Sequence, residues 1–309
     1  MKALVATAAA PGGIAIGEVP EPEPISDQAV VDVRAVSLNR GECWALAHAE
    51  DGWRPGWDVA GLVTTAASDG SGPEQGARVV GWVSGGGWAE RAAVRTTHLA
   101  EIPDDLSLEV ASTLPVAGLT AVGVLSVTGS LLGKRVAITG AAGGVGRFAI
   151  QLAHMGGAHV VAIVGRPERA EGLAELGADE VVVGFAAEGD PFDLVVESVG
   201  GASFAAAVAR VATEGIIVSM GNSSDESATF DPRSLYRKGA PTVVGFFVTH
   251  ELVRGRIGTS RLAALASLVA EGRLTSAVDL QVPWERAAEA IEALLGRRIS
   301  GKAVLTIGR

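Results

Sequence analysis

The sequence predicts an α/β chain in two parts, a β-rich domain and a doubly wound parallel sheet of six strands. Three observations carry this. The first hundred residues break into short strand-like runs separated by Gly, Pro and Ser clusters; from about residue 112 apolar runs alternate with helix-periodic segments; and a glycine turn, GAAGGVG over residues 140–146, stands between the first of those runs and its helix. A length of 309 residues suits about two domains.

Each element has its own reason. The opening MKALVATAAAP superficially resembles a secretory leader, but Pro11-Gly12-Gly13 interrupts it and Ile14-Ala15-Ile16 resumes as a second strand, so a hairpin is expected. The acidic, proline-rich stretch 18–24 cannot sit inside a sheet and is expected as an exposed connection. Strands are expected at 29–36, 61–65, 78–83 and 89–94. In the second part, 135–139 is a short apolar strand. Apolar residues then recur at 145, 148, 149, 152 and 153, the spacing of one helical face. Strands follow at 159–164, 180–183, 192–196, 215–219 and 241–248. Helices are expected at 168–176, ended by Gly177, and at 202–211. A helix at 261–270, a strand at 277–282, a helix at 284–295 and a strand at 302–307 do not extend that sheet, so the tail is expected to return to the first domain. The expected domains are residues 1–115 with 250–309, and 116–249.

Composition narrows the function. Twenty-five basic against 35 acidic residues gives a net charge of −10, which argues against a broad electrostatic grip on nucleic acid or anionic lipid. At 48% hydrophobic residues the chain can bury a core, so disorder is not expected. No run of ~18 apolar residues occurs, so no bilayer span is expected, and a cytoplasmic location is the default. The one cysteine, Cys43, excludes an intrachain disulfide framework and a multi-thiolate zinc site, and suits a reducing compartment.

The glycine turn carries the chemistry. Gly140, Gly143 and Gly146 are spaced G-x-x-G-x-x-G, a variant of the dinucleotide fingerprint in its required strand–turn–helix setting. Glycines there permit the tight turn, and the backbone N–H groups of Gly144, Val145 and Gly146 are directed toward a pyrophosphate at the helix N-terminus. The end of the second strand selects the cofactor. An Asp or Glu there would bind the ribose hydroxyls of NAD; this chain has Gly165, followed by Arg166 and Arg169, whose forked donors suit a 2′-phosphate. Glu168 is a competing partner for either arginine. The expected cofactor is NADPH. Val199 and Gly200, Gly221 and Asn222, and Phe246 and Phe247 follow strand C-terminal ends, where open α/β sheets bind ligands.

Five segments together resemble the medium-chain dehydrogenase/reductase superfamily, in its zinc-free, zeta-crystallin-like NADPH:quinone oxidoreductase branch: SLNRGE at 37–42, GWDVAG at 56–61, LPVAGLTA at 114–121, ITGAAGGVG at 138–146 and GKAVL at 301–305. The resemblance implies a GroES-like first domain completed by the tail, a Rossmann domain between, and a cleft holding the nicotinamide. It also implies a homodimer in which strand 241–248 pairs with its symmetry mate. Zinc relatives place their first ligand cysteine at Cys43, but have a histidine where this chain has Trp57, and need a further cysteine that it lacks. Catalytic zinc needs three protein ligands, so a metal-free site is expected.

By the same resemblance, Asn39 contacts the nicotinamide ribose or the substrate oxygen, and Thr120 hydrogen-bonds near the cofactor. Phe185 stands where relatives carry an adenine-stacking tyrosine, and Lys302 reaches toward the cofactor phosphates. Some enoyl reductases of the superfamily use a tyrosine near the position of Arg40 as proton donor; the single tyrosine here, Tyr236, lies elsewhere. The tryptophans at 44, 53, 57, 82 and 88 suit either of two places: lining an apolar pocket for a planar ring, Trp44 or Trp53 foremost, or filling a small β-barrel core. The implied activity is hydride transfer to quinones or activated α,β-unsaturated carbonyls. The alternatives are a trans-acting enoyl reductase and a low-turnover NADPH-binding structural or sensor protein.

Overall fold

The computed structural model describes residues 1–237 and 239–308. The chain divides into two compact units, Met1–Leu119 with Thr249–Arg309, and Thr120–Val248.

The first unit begins with a hairpin of β1 (Lys2–Ala6) and β2 (Ile14–Glu18), antiparallel with Leu4 opposite Ile16. There follow β3 (Gln28–Leu38), α1 (Arg40–Leu46), β4 (Asp58–Thr65), β5 (Arg78–Trp82), β6 (Arg91–Arg95), β7 (Leu99–Glu101) and α2 (Leu108–Ala111). A π-type turn, Leu114–Gly118, leads into α3 (Leu119–Ser126).

In the second unit β8 (Arg135–Thr139), α4 (Gly144–Met155), β9 (His159–Val164), β10 (Glu180–Val183), β11 (Phe192–Glu197), α5 (Gly201–Arg210), β12 (Val211–Ser219), α6 (Arg233–Tyr236) and β13 (Thr242–Gly245) follow in order. The strands form one six-stranded sheet, β10-β9-β8-β11-β12-β13, parallel throughout. Val136, Ala137 and Ile138 of β8 and Leu194, Val195 and Val196 of β11 are all fully buried, as continuous apolar runs covered on both faces require. The chain leaves β8 toward β9 and β10 and later returns to lay β11 on its other side. This makes the carboxyl ends of β8 and β11 the topological switch point, where such sheets bind ligands.

The chain then re-enters the first unit through α7 (Val248–Val253), α8 (Thr259–Ala270), β14 (Val278–Pro283), α9 (Ala287–Leu295) and β15 (Lys302–Thr306). β15 pairs antiparallel with β3, Ala303 opposite Leu38, and parallel with β14, giving a seven-stranded sheet. Its core gathers Trp88, Leu38, Val59, Val79, Leu99, Ile291 and Leu305. Emptying the fully buried Trp88 position to alanine would cost about 3–5 kcal/mol.

The fold class is the expected one, and several elements differ from expectation. Residues 168–176 form no α-helix: a 3-10 turn, Pro167–Arg169, gives way to further turns, because Gly172 adopts φ +72°, outside the helical region. The strand expected at 241–248 ends at Gly245, and Val248 opens α7. A mostly apolar run does not reveal its period, and the burial of Val248 and Leu252, one helical turn apart, decides for helix. The helix expected at 284–295 starts as a 3-10 turn, Trp284–Arg286. Among the described residues no helix is long and apolar enough to cross a membrane.

Candidate functional site

The second unit builds a cradle at its switch point. Gly140 leaves β8 at φ +60°, and a Cβ there would lie 2.5 Å from Ser198 Oγ. Gly143 caps α4, and a Cβ on Gly146 would stand 2.6 Å from the Ala141 carbonyl oxygen, so turn and helix meet backbone to backbone. The first helical N–H with an intrahelical acceptor is that of Arg147, to Gly143 O at 3.0 Å. The N–H groups of Gly144, Val145 and Gly146 therefore belong to the open first turn, where an anion is favoured.

Neighbouring strand ends are tied to this turn. Ser198 N donates to Thr139 Oγ1 (2.9 Å), and Ser198 Oγ to Thr139 O (3.1 Å). Glu197, fully buried at the end of β11, accepts from Val199 N (3.0 Å), Gly200 N (3.0 Å) and Ser203 Oγ (2.8 Å). This carboxylate holds the loop from β11 into α5. Asn222 lies against Gly200, where a Cβ would fall 1.9 Å from Asn222 Oδ1, and Gly221 passes close to Ser198 O. At the end of β9, Gly165 is exposed, with no atom within 4 Å of the position a Cβ would take. Arg166 is exposed, and Arg169 turns back so that its Nη2 donates to Ala142 O at 3.4 Å. The structure thus joins the glycine turn, Arg169, Val199, Gly221 and Asn222.

Phe185 is engaged elsewhere in that unit. It packs edge-to-face on Phe192 with centroids 5.9 Å apart, under the Arg210 guanidinium, and borders a hollow of about 620 Å³ along α5. Phe246 packs on Gly123 of α3, while Phe247 is half-exposed. Thr120 is buried in the first turn of α3.

The first unit holds a buried polar cluster around Asn39. Asn39 follows β3 in extended conformation (φ −120°) and caps α1, and Glu42, at the third helical position, accepts its backbone N–H at 2.7 Å. The Asn39 side-chain Nδ2 donates to Asp58 Oδ2 (2.8 Å) and Glu42 Oε1 (3.1 Å). Asp58 also accepts from Ser37 Oγ (2.7 Å) and Val116 N (2.9 Å), and Glu42 Oε2 accepts from Trp57 N (2.9 Å). Lys302, at the start of β15, donates to Asn39 Oδ1 (2.6 Å) and Leu38 O (2.9 Å), with Asp58 Oδ2 at 3.6 Å.

Burial, with Asp58 beside it, pushes the Glu42 carboxyl up to about 8, against the pull of its N–H donors. Burial lowers the Lys302 ammonium against the opposing pull of Asp58 and Glu42, and raises the Cys43 thiol well above its usual value. Lys302 is therefore not the phosphate contact that the resemblance implied. Antiparallel pairing of β15 with β3 turns its ammonium inward beneath Asn39.

The tryptophans part company too. Trp88 and Trp82 are buried. Trp44 is 57% exposed on α1, its ring 4.4 Å from that of His48, on open surface rather than in a pocket. Trp53 packs against the core and borders a hollow of about 540 Å³ with Arg54 and Arg91. Sequence reasoning assigned no role to Ser37, Glu42, Asp58 or Glu197. For Glu197 alone a local signal existed, a carboxylate closing a largely apolar strand.

Comparison with known proteins adds independent findings. A family model described as zinc-binding dehydrogenase matches residues 176–305. A chloroplast envelope quinone oxidoreductase homolog of Arabidopsis thaliana is 27% identical over 322 aligned positions, covering 95% of each chain. Prostaglandin reductase-3 of Bos taurus is 30% identical, covering 82% of this chain and 72% of its own. Among solved structures, a mycobacterial protein complexed with NADPH superimposes with a TM-score of 0.89 at 26% identity, over 99% of this chain and all 100% of that one.

Proposed function

Because the chain belongs to the medium-chain dehydrogenase/reductase superfamily, in its quinone-oxidoreductase-like branch, and is thus an oxidoreductase, we propose that it reduces quinones or activated α,β-unsaturated carbonyls with NADPH and without zinc. The observation that carries this is the cradle of the second unit: a glycine turn in which a Cβ at Gly140 or Gly146 would collide with Ser198 or Ala141, next to an open Gly165 and two arginines.

In this reading the second unit, Thr120–Val248, binds the dinucleotide, and the first unit serves the acceptor. The N–H groups of Gly144, Val145 and Gly146 hold the pyrophosphate, and Gly140 and Gly143 shape the turn. Arg166 and Arg169 take the 2′-phosphate, which a carboxylate at position 165 would repel. Val199, Gly221, Asn222, Phe246 and Phe247 flank the dinucleotide from the strand ends, while Phe185, packed on Phe192, takes no part. Thr120 and Asn39 serve the nicotinamide side. When bound, NADPH supplies the hydride, and the protein contributes placement. Protons reach a reduced quinone from solvent, so no dedicated protein acid is required.

The donor set does not fit catalytic zinc. Cys43 is the single cysteine, its buried thiol resists ionisation, and Trp57 offers no ligand atom where zinc relatives have a histidine. β13 supports a homodimer: it is hydrogen-bonded to β12 on one side, and Val243 is 45% exposed. A lone buried thiol suits a reducing, cytoplasmic setting.

The test is NADPH oxidation by zinc-assayed protein across 1,4-quinones, simple enones and thioester-linked enoyl substrates. Rapid turnover of quinones or enones, with no stoichiometric zinc, is expected. Turnover of thioesters alone would reassign it as an enoyl reductase. Tight NADPH binding with no turnover would make it a binding protein.

A further inference from the structure

The hollow of about 540 Å³ lies wholly within the first unit, walled by Pro22, Trp53, Val83 and Ala92 and bearing the guanidinium groups of Arg54 and Arg91. Its volume suits a small organic molecule. Arg54 arrives on the loop before β4 and is clasped by the glycine loop after β5: Gly86 N donates to Arg54 O at 3.0 Å, and Arg54 Nη2 donates to Gly86 O at 3.4 Å. A guanidinium has five N–H donors, and that long contact is the only side-chain hydrogen bond Arg54 makes among the described residues. No carboxylate among them pairs with it, and burial lowers its pKa with no acid to oppose the shift. Arg91 is placed differently. Its Nη2 faces Glu21 Oε1 at 3.1 Å, a carboxylate that also lies 3.6 Å from the N-terminal ammonium. Neighbouring acids are engaged elsewhere. Asp32, opposite Arg91 across β3 and β6, pairs with Arg34 at 2.6 Å; Glu90 accepts Lys2 N and Asp51 accepts Ala8 N, each at 2.8 Å. The Nε atoms of Arg54 and Arg91 are shielded from solvent and have no partner, so the chain leaves both cations under-satisfied.

We propose that this hollow binds a small monocarboxylate with an apolar body, the carboxylate held by Arg54 and Arg91 and the body lying against Trp53. Charge decides between oxyanions. Glu21 offsets one of the two guanidinium charges, so a single negative charge completes the balance, and the second charge of a phosphate monoester would meet Glu21 instead. Geometry agrees, because guanidinium forks match the two oxygens of a carboxylate while the surrounding wall is apolar. In a chain of net charge −10, capture of an organic anion needs such a local excess of positive charge. Every residue involved belongs to the first unit, so the proposal does not depend on the coenzyme reading.

Benzoate is the probe. Benzamide, with the same ring and no charge, and phenyl phosphate, with nearly two charges, are its comparisons. Binding to the full chain at neutral pH is followed by the indole N–H signals of isotope-labelled protein, the Trp53 signal being assigned with Trp53→Phe. Benzoate should bind saturably and shift the Trp53 signal, phenyl phosphate should bind more weakly, and benzamide should not bind. Arg54→Gln should weaken benzoate about tenfold or more, the loss of a charge-assisted contact. Glu21→Gln frees Arg91 and should tighten benzoate severalfold and phenyl phosphate by more. A purely structural role for these residues would give no such gain. Glu21 is exposed, so this variant tests the proposal even if Arg54→Gln fails to fold. Absence of saturable binding, a Trp53 signal that stays put while another indole shifts, benzamide binding as tightly as benzoate, unchanged affinity in a folded Arg54→Gln, or no gain in Glu21→Gln would each overturn the proposal. Tighter binding of phenyl phosphate than of benzoate to the wild type would overturn its choice of anion.

Discussion

Replacing Glu42 by glutamine should change how stability depends on pH, and the size of the change follows from the carboxyl's surroundings. Glu42 is fully buried beside Asp58, and its carboxyl is raised from 4.5 to about 8. Between those values the folded protein holds a proton that the unfolded chain releases. Stability from this group is therefore full below pH 4.5 and falls as pH rises toward 8. At about 1.4 kcal/mol per pH unit, the span from pH 5 to pH 8 corresponds to at most roughly 4 kcal/mol. Glutamine does not titrate. Its amide would set an N–H against that of Trp57, which now donates to Glu42 at 2.9 Å, adding a pH-independent cost of about 1–3 kcal/mol. Urea unfolding of both proteins at pH 5, 6, 7 and 8 gives the difference directly. Glu42→Gln should be the less stable at pH 5 and should gain steadily on the wild type up to pH 8. A difference that stays flat across the range would mean that Glu42 is ionised throughout in the folded protein, and the reasoning about its burial would be wrong.

Arg166→Ala with Arg169→Ala should weaken NADPH binding about tenfold or more while sparing NADH, as loss of charge-assisted contacts to one phosphate requires; calorimetric titration with both coenzymes checks it, and an equal fall for each would reject the assignment. Gly146→Ala places a methyl 2.6 Å from Ala141 O, against backbone that cannot yield cheaply. It should cost about 1–3 kcal/mol in thermal unfolding and abolish tight coenzyme binding. Val243→Lys on the exposed face of β13 should shift the sedimentation coefficient from dimer to monomer with the fold intact by circular dichroism; an unchanged coefficient would place the dimer contact elsewhere.

What could be read from the sequence was what local pattern controls. The strand at 135–139, the helix beginning in the glycine turn and the strand at 159–164 have short apolar runs and glycine punctuation that leave little choice, and the structure has Arg135–Thr139, Gly144–Met155 and His159–Val164 there. Where two local signals competed, pattern misled. The apolar periodicity at 168–176 reads as helix, but Gly172 at φ +72° wins, and the mostly apolar run from 241 hides the change from strand to helix at Val248. The polar cluster was beyond reach for another reason. Glu42 and Asp58 read as ordinary charged residues, and only the pairing of β15 with β3, linking positions more than 260 apart, brings Lys302 onto Asn39. No local rule contains that register.

A crystal structure grown with NADPH tests the account most directly. The account predicts the pyrophosphate on the N–H groups of Gly144, Val145 and Gly146, the 2′-phosphate between Arg166 and Arg169, and no metal bound at Cys43. Coenzyme bound away from the glycine turn, or a zinc ion held by Cys43, would contradict it.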